Sequence, residues 1–215
     1  MKKSFIIKIC GLTRPEDLAF CQSSGVDLTG FIFAQKSPRF IEPHQVSLFP
    51  KGGERRVGVF AGHSVKEVLD IARIAKLDLL QLHGGESPEF CRDVGAERVI
   101  KVLWPDALLP DELPRIVEEF TDHCSFFLLD AGKQGGGSGN LLKGQHIVNM
   151  VWPKPWLLAG GLGVSTVQKA LDYFAPAFPD GLDLNSALET KPGEKQEELV
   201  RKAVSIIRHY ETHCR

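Results

Sequence analysis

Short apolar runs recur along this chain, and each stops abruptly at a polar or small residue. Phe5-Ile6-Ile7-Lys8-Ile9 ends at Cys10-Gly11, Leu79-Leu80-Gln81-Leu82 at His83, Phe126-Phe127-Leu128-Leu129 at Asp130, and Leu157-Leu158-Ala159 at Gly160-Gly161. Runs of this length, bounded by turn residues, are the pattern of strands buried on both faces. They predict strands over 5–10, 28–33, 55–60, 78–82, 97–103, 125–130, 156–159 and 181–184. Between them lie amphipathic stretches with helix-start signals. Thr13-Arg14-Pro15-Glu16-Asp17 combines a cap, an early proline and first-turn acids before a helix over 14–24. Ser64 and Glu67 form a capping box for 64–75, Ser87-Pro88-Glu89 opens a helix over 88–94, and Ser165 one over 165–173. A long amphipathic helix over 194–210 closes the pattern.

Eight strands alternating with helical connections in 215 residues predict an α/β fold, a single (β/α)8 TIM barrel over 1–215, with no linker dividing it. A doubly wound open sheet is the alternative. In a strand, residues two apart share a face. Lys8 and Cys10 therefore point the same way, as do Gln81 and His83, while Leu182 and Leu184 leave Asp183 on the other side. These polar groups are assigned to the barrel interior. An inward ammonium at Lys8 needs an anionic partner, either Asp183 or Asp130.

Composition narrows the function class. Lys and Arg number 26 against 27 Asp and Glu, for a net charge of −1 without a basic block. Nucleic acid and an anionic membrane are therefore excluded as main partners, which leaves a small-molecule substrate. The five cysteines are scattered without a C-x-x-C, which argues against disulfides or a zinc cage and for the cytoplasm.

In parallel α/β folds, chemistry collects at the carboxyl ends of the strands. Cys10 stands at such an end. Its thiol becomes a useful base if a cation such as Lys8 or Arg39 lowers its pKa, and otherwise it is a buried hydrophobe. Asp130 ends a strongly apolar strand and is a candidate acid, with a loop-capping carboxylate as the plainer role. Arg39 in the loop after the second strand can grip a carboxylate bidentately. His83 could orient or polarise a substrate. Gly137 in the glycine-rich loop, Gly160-Gly161 and Asn185-Ser186 lie where barrels bind phosphate. Trp104, Trp152 and Trp156 read as packing residues.

Taken in order, K-I-C-G-L-T (8–13), G-F-I-F-A-Q-K-S-P-R (30–39), Q-L-H-G (81–84), L-L-D (128–130) with G-G-G-S-G (135–139), L-A-G-G-L (158–162) and L-D-L-N-S-A-L-E (182–189) resemble the phosphoribosylanthranilate isomerase family from residue 6 to about 195. The resemblance implies an Amadori rearrangement of N-(5-phosphoribosyl)anthranilate in tryptophan biosynthesis, without metal or organic cofactor, by a monomer or homodimer. It implies Cys10 as general base, Asp130 as general acid and Arg39 as the holder of the anthranilate carboxylate. Gly137, Gly160, Gly161, Asn185 and Ser186 then form the phosphate cradle. The family's S-S-G-V-E appears here as Asn185-Ser186-Ala187-Leu188-Glu189, which sets a β-carbon where backbone would approach phosphate. Other sugar-phosphate barrel enzymes, and a non-catalytic barrel that binds a phosphorylated metabolite, are the competing readings. The pairing of Cys10 with Asp130 weighs against the last.

Overall fold

The computed structural model describes residues 4–109, 111–131 and 147–213. Its centre is a closed barrel of parallel strands, ordered as they occur in the chain: β1 (Ile6–Ile9), β2 (Leu28–Ile32), β3 (Arg55–Phe60), β4 (Leu79–Leu82), β5 (Val99–Leu103), β6 (Phe126–Leu129), β7 (Trp156–Leu158) and β8 (Gly181–Leu184). Each lies within two residues of its predicted bounds. β8 pairs back onto β1 in a register that sets Asp183 directly across from Lys8.

Strand alternation sorts the side chains into two cores. Leu28, Val57, Leu79, Ile100, Val102, Leu128 and Leu157 fill the barrel interior. Alternate positions of the strands, among them Ile7, Phe31, Leu80, Leu103, Phe127, Leu158 and Leu182, face outward into a larger cluster under the helices. Above the apolar interior layer the inward positions turn polar. Lys8, Gln81 and Asp183 come next, all buried, and Cys10, His83 and Asp130 stand higher at the strand ends. An apolar floor beneath a polar mouth is what confines the site to one end of the barrel.

The outer helices are α1 (Pro15–Ser23), α2 (Pro43–Leu48), α3 (Val65–Ala75), α4 (Pro88–Val94), α5 (Glu112–Phe120), α6 (Val167–Tyr173) and α7 (Glu197–His213) among the described residues. α3 starts at the predicted capping box, with Ser64 Oγ accepting from the Glu67 N–H and the Glu67 carboxylate accepting from the Ser64 N–H. α2 and α5 were not assigned from sequence. α2 is short, and its last turn and the two residues after it are tied to the barrel by the buried Arg56 guanidinium, which donates to Val46 O, Phe49 O and Pro50 O. A tertiary contact of that kind has no local signature.

Two helix starts also differ from expectation. Thr13 does not cap α1. Its hydroxyl donates instead to Gly193 O at 2.6 Å. Gly193 (φ +85°) is the turn of a hairpin formed by β9 (Glu189–Lys191) and β10 (Glu194–Lys195), where the sequence reading began the last helix. α7 begins only at Glu197. Pro192-Gly193 is the turn signal that marks the hairpin.

Candidate active site

A cavity of about 470 Å³ opens at the carboxyl ends of the barrel strands. Cys10, Asp130, Arg39 and His83 all line it, as do Gly160, Gly161, Asn185 and Ser186. Gly137 lies outside the described residues. The predicted site residues that are described thus converge on one space from β1, β2, β4, β6, β7 and β8.

Cys10 follows β1 and is held by its backbone, whose N–H donates to Leu184 O at 2.9 Å. Gly30 on β2 makes room for it, since a β-carbon there would stand 2.8 Å from the sulfur. Below the thiol, the Lys8 ammonium donates to Asp183 Oδ1 at 2.9 Å. Burial works against charge on Lys8, but the Asp183 carboxylate outweighs it and the pKa is raised, so Lys8 stays charged. Asp183, rather than Asp130, is therefore its partner. Of the two alternatives for Cys10, a thiol lowered by a cation and a buried thiol, the resting structure has the second. Burial pushes the thiol up, Lys8 pulls it down, and Asp183 opposes Lys8. At neutral pH the resting group is a thiol.

Asp130 follows β6, three strands from β1 around one side of the barrel, so acid and base candidates face each other across the mouth. Its backbone N–H donates to Leu103 O at 3.0 Å. His83 Nε2 lies 3.9 Å from Asp130 Oδ2. Burial, with repulsion from Lys8 and Lys101 only partly offset by Glu86, brings the imidazole down to about 4, so it is neutral at working pH. Gln81 Nε2 lies 3.4 Å from His83 Nδ1. An amide donor there places the ring proton on Nε2, facing Asp130. Trp104 packs edge-on against the ring at 5.3 Å between centroids, so this packing residue fixes a site residue.

The β7 loop has the backbone that only glycine adopts readily. Gly160 has φ +94° and Gly161 φ +62°, and a β-carbon on Gly160 would meet the Ala131 nitrogen at 2.8 Å. Thr166, rather than Ser165, organises the start of α6, its hydroxyl donating to Gly161 O and accepting from the Gly163 N–H. Across from it, Ser186–Leu188 form a 3₁₀ turn after β8. The Ala187 methyl packs against Gly163, where a β-carbon would come within 2.6 Å of it. The extra carbon at 187 therefore meets this loop and does not line the cavity.

The sequence reading did not single out Glu189 or Lys195. Arg39 donates through Nε and Nη2 to both oxygens of Glu189, and Lys195 Nζ donates to Glu189 Oε1 and Asn185 Oδ1, each at 2.7 Å. Among the described residues, no group of three or more His, Cys, Asp or Glu side chains is placed to hold a metal ion. No described helix is long and apolar enough to cross a membrane.

Comparison with known proteins gives a consistent result. A sequence profile described as N-(5′-phosphoribosyl)anthranilate (PRA) isomerase matches residues 7–206. A curated N-(5′-phosphoribosyl)anthranilate isomerase from Maridesulfovibrio salexigens is 42% identical over 205 residues, covering 95% of this chain and 98% of that one. A crystal structure of phosphoribosyl anthranilate isomerase with reduced 1-(o-carboxyphenylamino)-1-deoxyribulose 5-phosphate has a TM-score of 0.78 at 29% identity, covering 95% and 99% of the two chains. Monomers generated from the dimeric enzyme of Thermotoga maritima give 0.82 at 27% identity, with the same coverage. Matching along almost its whole length, in sequence and in fold, this chain belongs to the N-(5′-phosphoribosyl)anthranilate isomerase family.

Proposed function

We infer that Cys10 and Asp130 carry out in this chain the reaction of its family, with Cys10 as general base and Asp130 as general acid. The activity is the Amadori rearrangement of N-(5′-phosphoribosyl)anthranilate to 1-(2-carboxyphenylamino)-1-deoxyribulose 5-phosphate, an isomerisation in tryptophan biosynthesis. The observation that carries the residue assignment is the single cavity with the thiol on one flank and the carboxyl on the other.

Asp130 gives its proton to the ribose ring oxygen as the bond from C1′ to that oxygen breaks, and the anilino nitrogen supplies the electrons to form a Schiff base. Cys10, as thiolate, then removes the C2′ proton. The electrons of that C–H bond flow into an enolamine, which tautomerises to the ketone by taking a proton at C1′ and releasing the C2′ hydroxyl proton. Only protons move and the overall change is isomeric, so the chemistry calls for neither metal nor organic cofactor. The two groups act in opposite protonation states, which their separate surroundings permit.

Arg39 holds the anthranilate carboxylate at one end of the substrate. Gly160, Gly161, Asn185 and Ser186 receive the phosphate through backbone amides, the Asn185 amide and the Ser186 hydroxyl, and Gly137 joins them on the strength of the sequence resemblance. His83 polarises the sugar beside Asp130. The chain works as one domain over 1–215, as a monomer or homodimer, in the cytoplasm, where the buried thiols of Cys10, Cys21, Cys91 and Cys124 stay free.

Purified protein should consume N-(5′-phosphoribosyl)anthranilate, read as loss of anthranilate fluorescence, at the same rate with and without a chelator. Chelator-sensitive turnover would remove the cofactor-free mechanism, and no turnover would remove the assignment.

A further inference from the structure

The Arg39 guanidinium is already half engaged. Nε and Nη2, the donors of one edge, bind the Glu189 carboxylate in a fork at 2.7–3.1 Å. Nη1 makes no hydrogen bond among the described residues, and Arg39 lines the cavity. Glu189 is itself fixed, accepting from Lys195 Nζ at 2.7 Å and from the Gly193 N–H at 3.2 Å. Lys195 is anchored in turn, donating to Asn185 Oδ1 at 2.7 Å and Asn185 O at 3.2 Å. Gly11 completes the cluster. It has φ +75°, and a β-carbon on it would stand 2.7 Å from Arg39 Cδ.

The charges in this cluster do not balance. Arg39 is 13% exposed, Glu189 4% and Lys195 0%, so two cations share one carboxylate out of water. The Glu189 pKa is lowered: burial acts to raise it, but the Arg39 hydrogen bonds and Lys195 prevail, so the carboxylate is charged. One positive charge remains uncompensated and faces the cavity through the free edge of Arg39. A desolvated cation of this kind favours a ligand that brings one negative charge.

We propose that Glu189 and Lys195 are positioning residues that orient Arg39 and leave one positive charge for the substrate, so that the site selects an aryl amine bearing a carboxylate. Glu189 fixes the plane of the guanidinium, which would otherwise sample many rotamers. Lys195 prevents two carboxylates from sharing one guanidinium at a net negative charge. The proposal rests on the reading that Arg39 binds the anthranilate carboxylate.

The test compares the natural substrate with phosphoribosylaniline, which lacks the ring carboxylate. Glu189→Gln should raise KM for the natural substrate about tenfold, leave kcat within about threefold, and leave kcat/KM for the aniline compound within about twofold. Lys195→Met should give the same selective rise, which keeps the test open if Glu189→Gln does not fold. Equal losses on both substrates would reduce Glu189 to a structural part, and a lower KM for the natural substrate would make it a competitor; either overturns the proposal. Arg39→Gln separates the two levels. If it penalises both substrates equally, the carboxylate reading of Arg39 falls. If it abolishes discrimination while Glu189→Gln is silent, that reading stands and only the positioning role is lost.

Discussion

Cys10 and Asp130 stand at equivalent places, each just past the end of a strand, but the groups around them differ in kind. The thiol sits over a buried ion pair, Lys8 with Asp183 at 2.9 Å, in a crowded spot where Gly30 has no side chain. The carboxyl faces a neutral imidazole at 3.9 Å, oriented by an amide and a tryptophan edge. A thiolate base must hold negative charge in a buried place, so a fixed cation beside it stabilises the state that reacts. A carboxylic acid must keep its proton until the ring oxygen arrives, and a neutral imidazole, unlike an imidazolium, does not draw that proton off. The ion pair therefore belongs under the base, and the neutral ring beside the acid.

Removing the two reacting groups should have the largest effects. Cys10→Ser and Asp130→Asn should each lower kcat by about 10²–10⁴-fold while changing substrate affinity little, measured by steady-state fluorescence and by binding of a product analogue. If Cys10→Ser kept near-wild-type kcat, the base flank would be wrongly placed. Titration of the free enzyme sharpens the point. Burial holds the Cys10 pKa above its ordinary value, so the thiolate fraction keeps growing with pH. The ultraviolet thiolate absorbance that wild type shows and Cys10→Ser lacks should still be rising at about pH 9. A plateau reached below pH 8 would mean that a neighbour lowers the thiol.

Lys8→Met comes next. It strands the buried Asp183 carboxylate and should cost about 3–5 kcal/mol in denaturant unfolding. It also removes from Cys10 the cation that most lowers its pKa and moves the thiol titration higher. Adding Asp183→Leu should restore most of the stability, because the pair is then gone altogether. It should not restore activity, because the thiolate still lacks its cation. If activity recovered with stability, the ion pair would be scaffolding and the contrast between the flanks would lose its chemical meaning.

Much of this was legible in the chain, and the failures share a cause. The barrel could be read because all eight strands are short apolar runs ended by polar residues, a local pattern. Cys10, Asp130 and Arg39 could be read because they sit at those ends. α2 was missed because six residues carry little periodicity and its ties come from Arg56. The Cys10 pKa was left open because only Lys8, two residues away, is visible locally, whereas the burial that raises it comes from the whole barrel and Asp183, which cancels part of the Lys8 field, is 175 residues from Lys8. Arg39 was seen as a free clamp because the Glu189 that occupies half of it is 150 residues distant. Contacts across the closing seam of the barrel, where the β8 end meets the β1 and β2 ends, are the ones that a strand-by-strand reading loses.

His83 offers the smallest effect and the finest test of the acid flank. Its pKa of about 4, against an ordinary 6.5, means the unfolded chain takes up the proton first. The stability His83 contributes is thus complete above pH 6.5 and is lost as pH falls through about 4, and ring resonances should titrate near the lower value in NMR spectra. With its proton on Nε2, the ring can polarise or steer but does not supply the reacting proton. His83→Asn, which removes one neutral hydrogen-bonding group, should lower kcat only about 2–10-fold. It should leave the shape of the kcat profile unchanged. If the wild-type profile broke near pH 6.5 and His83→Asn abolished the break, the imidazole would be the acid, and Asp130 would become its orienting partner.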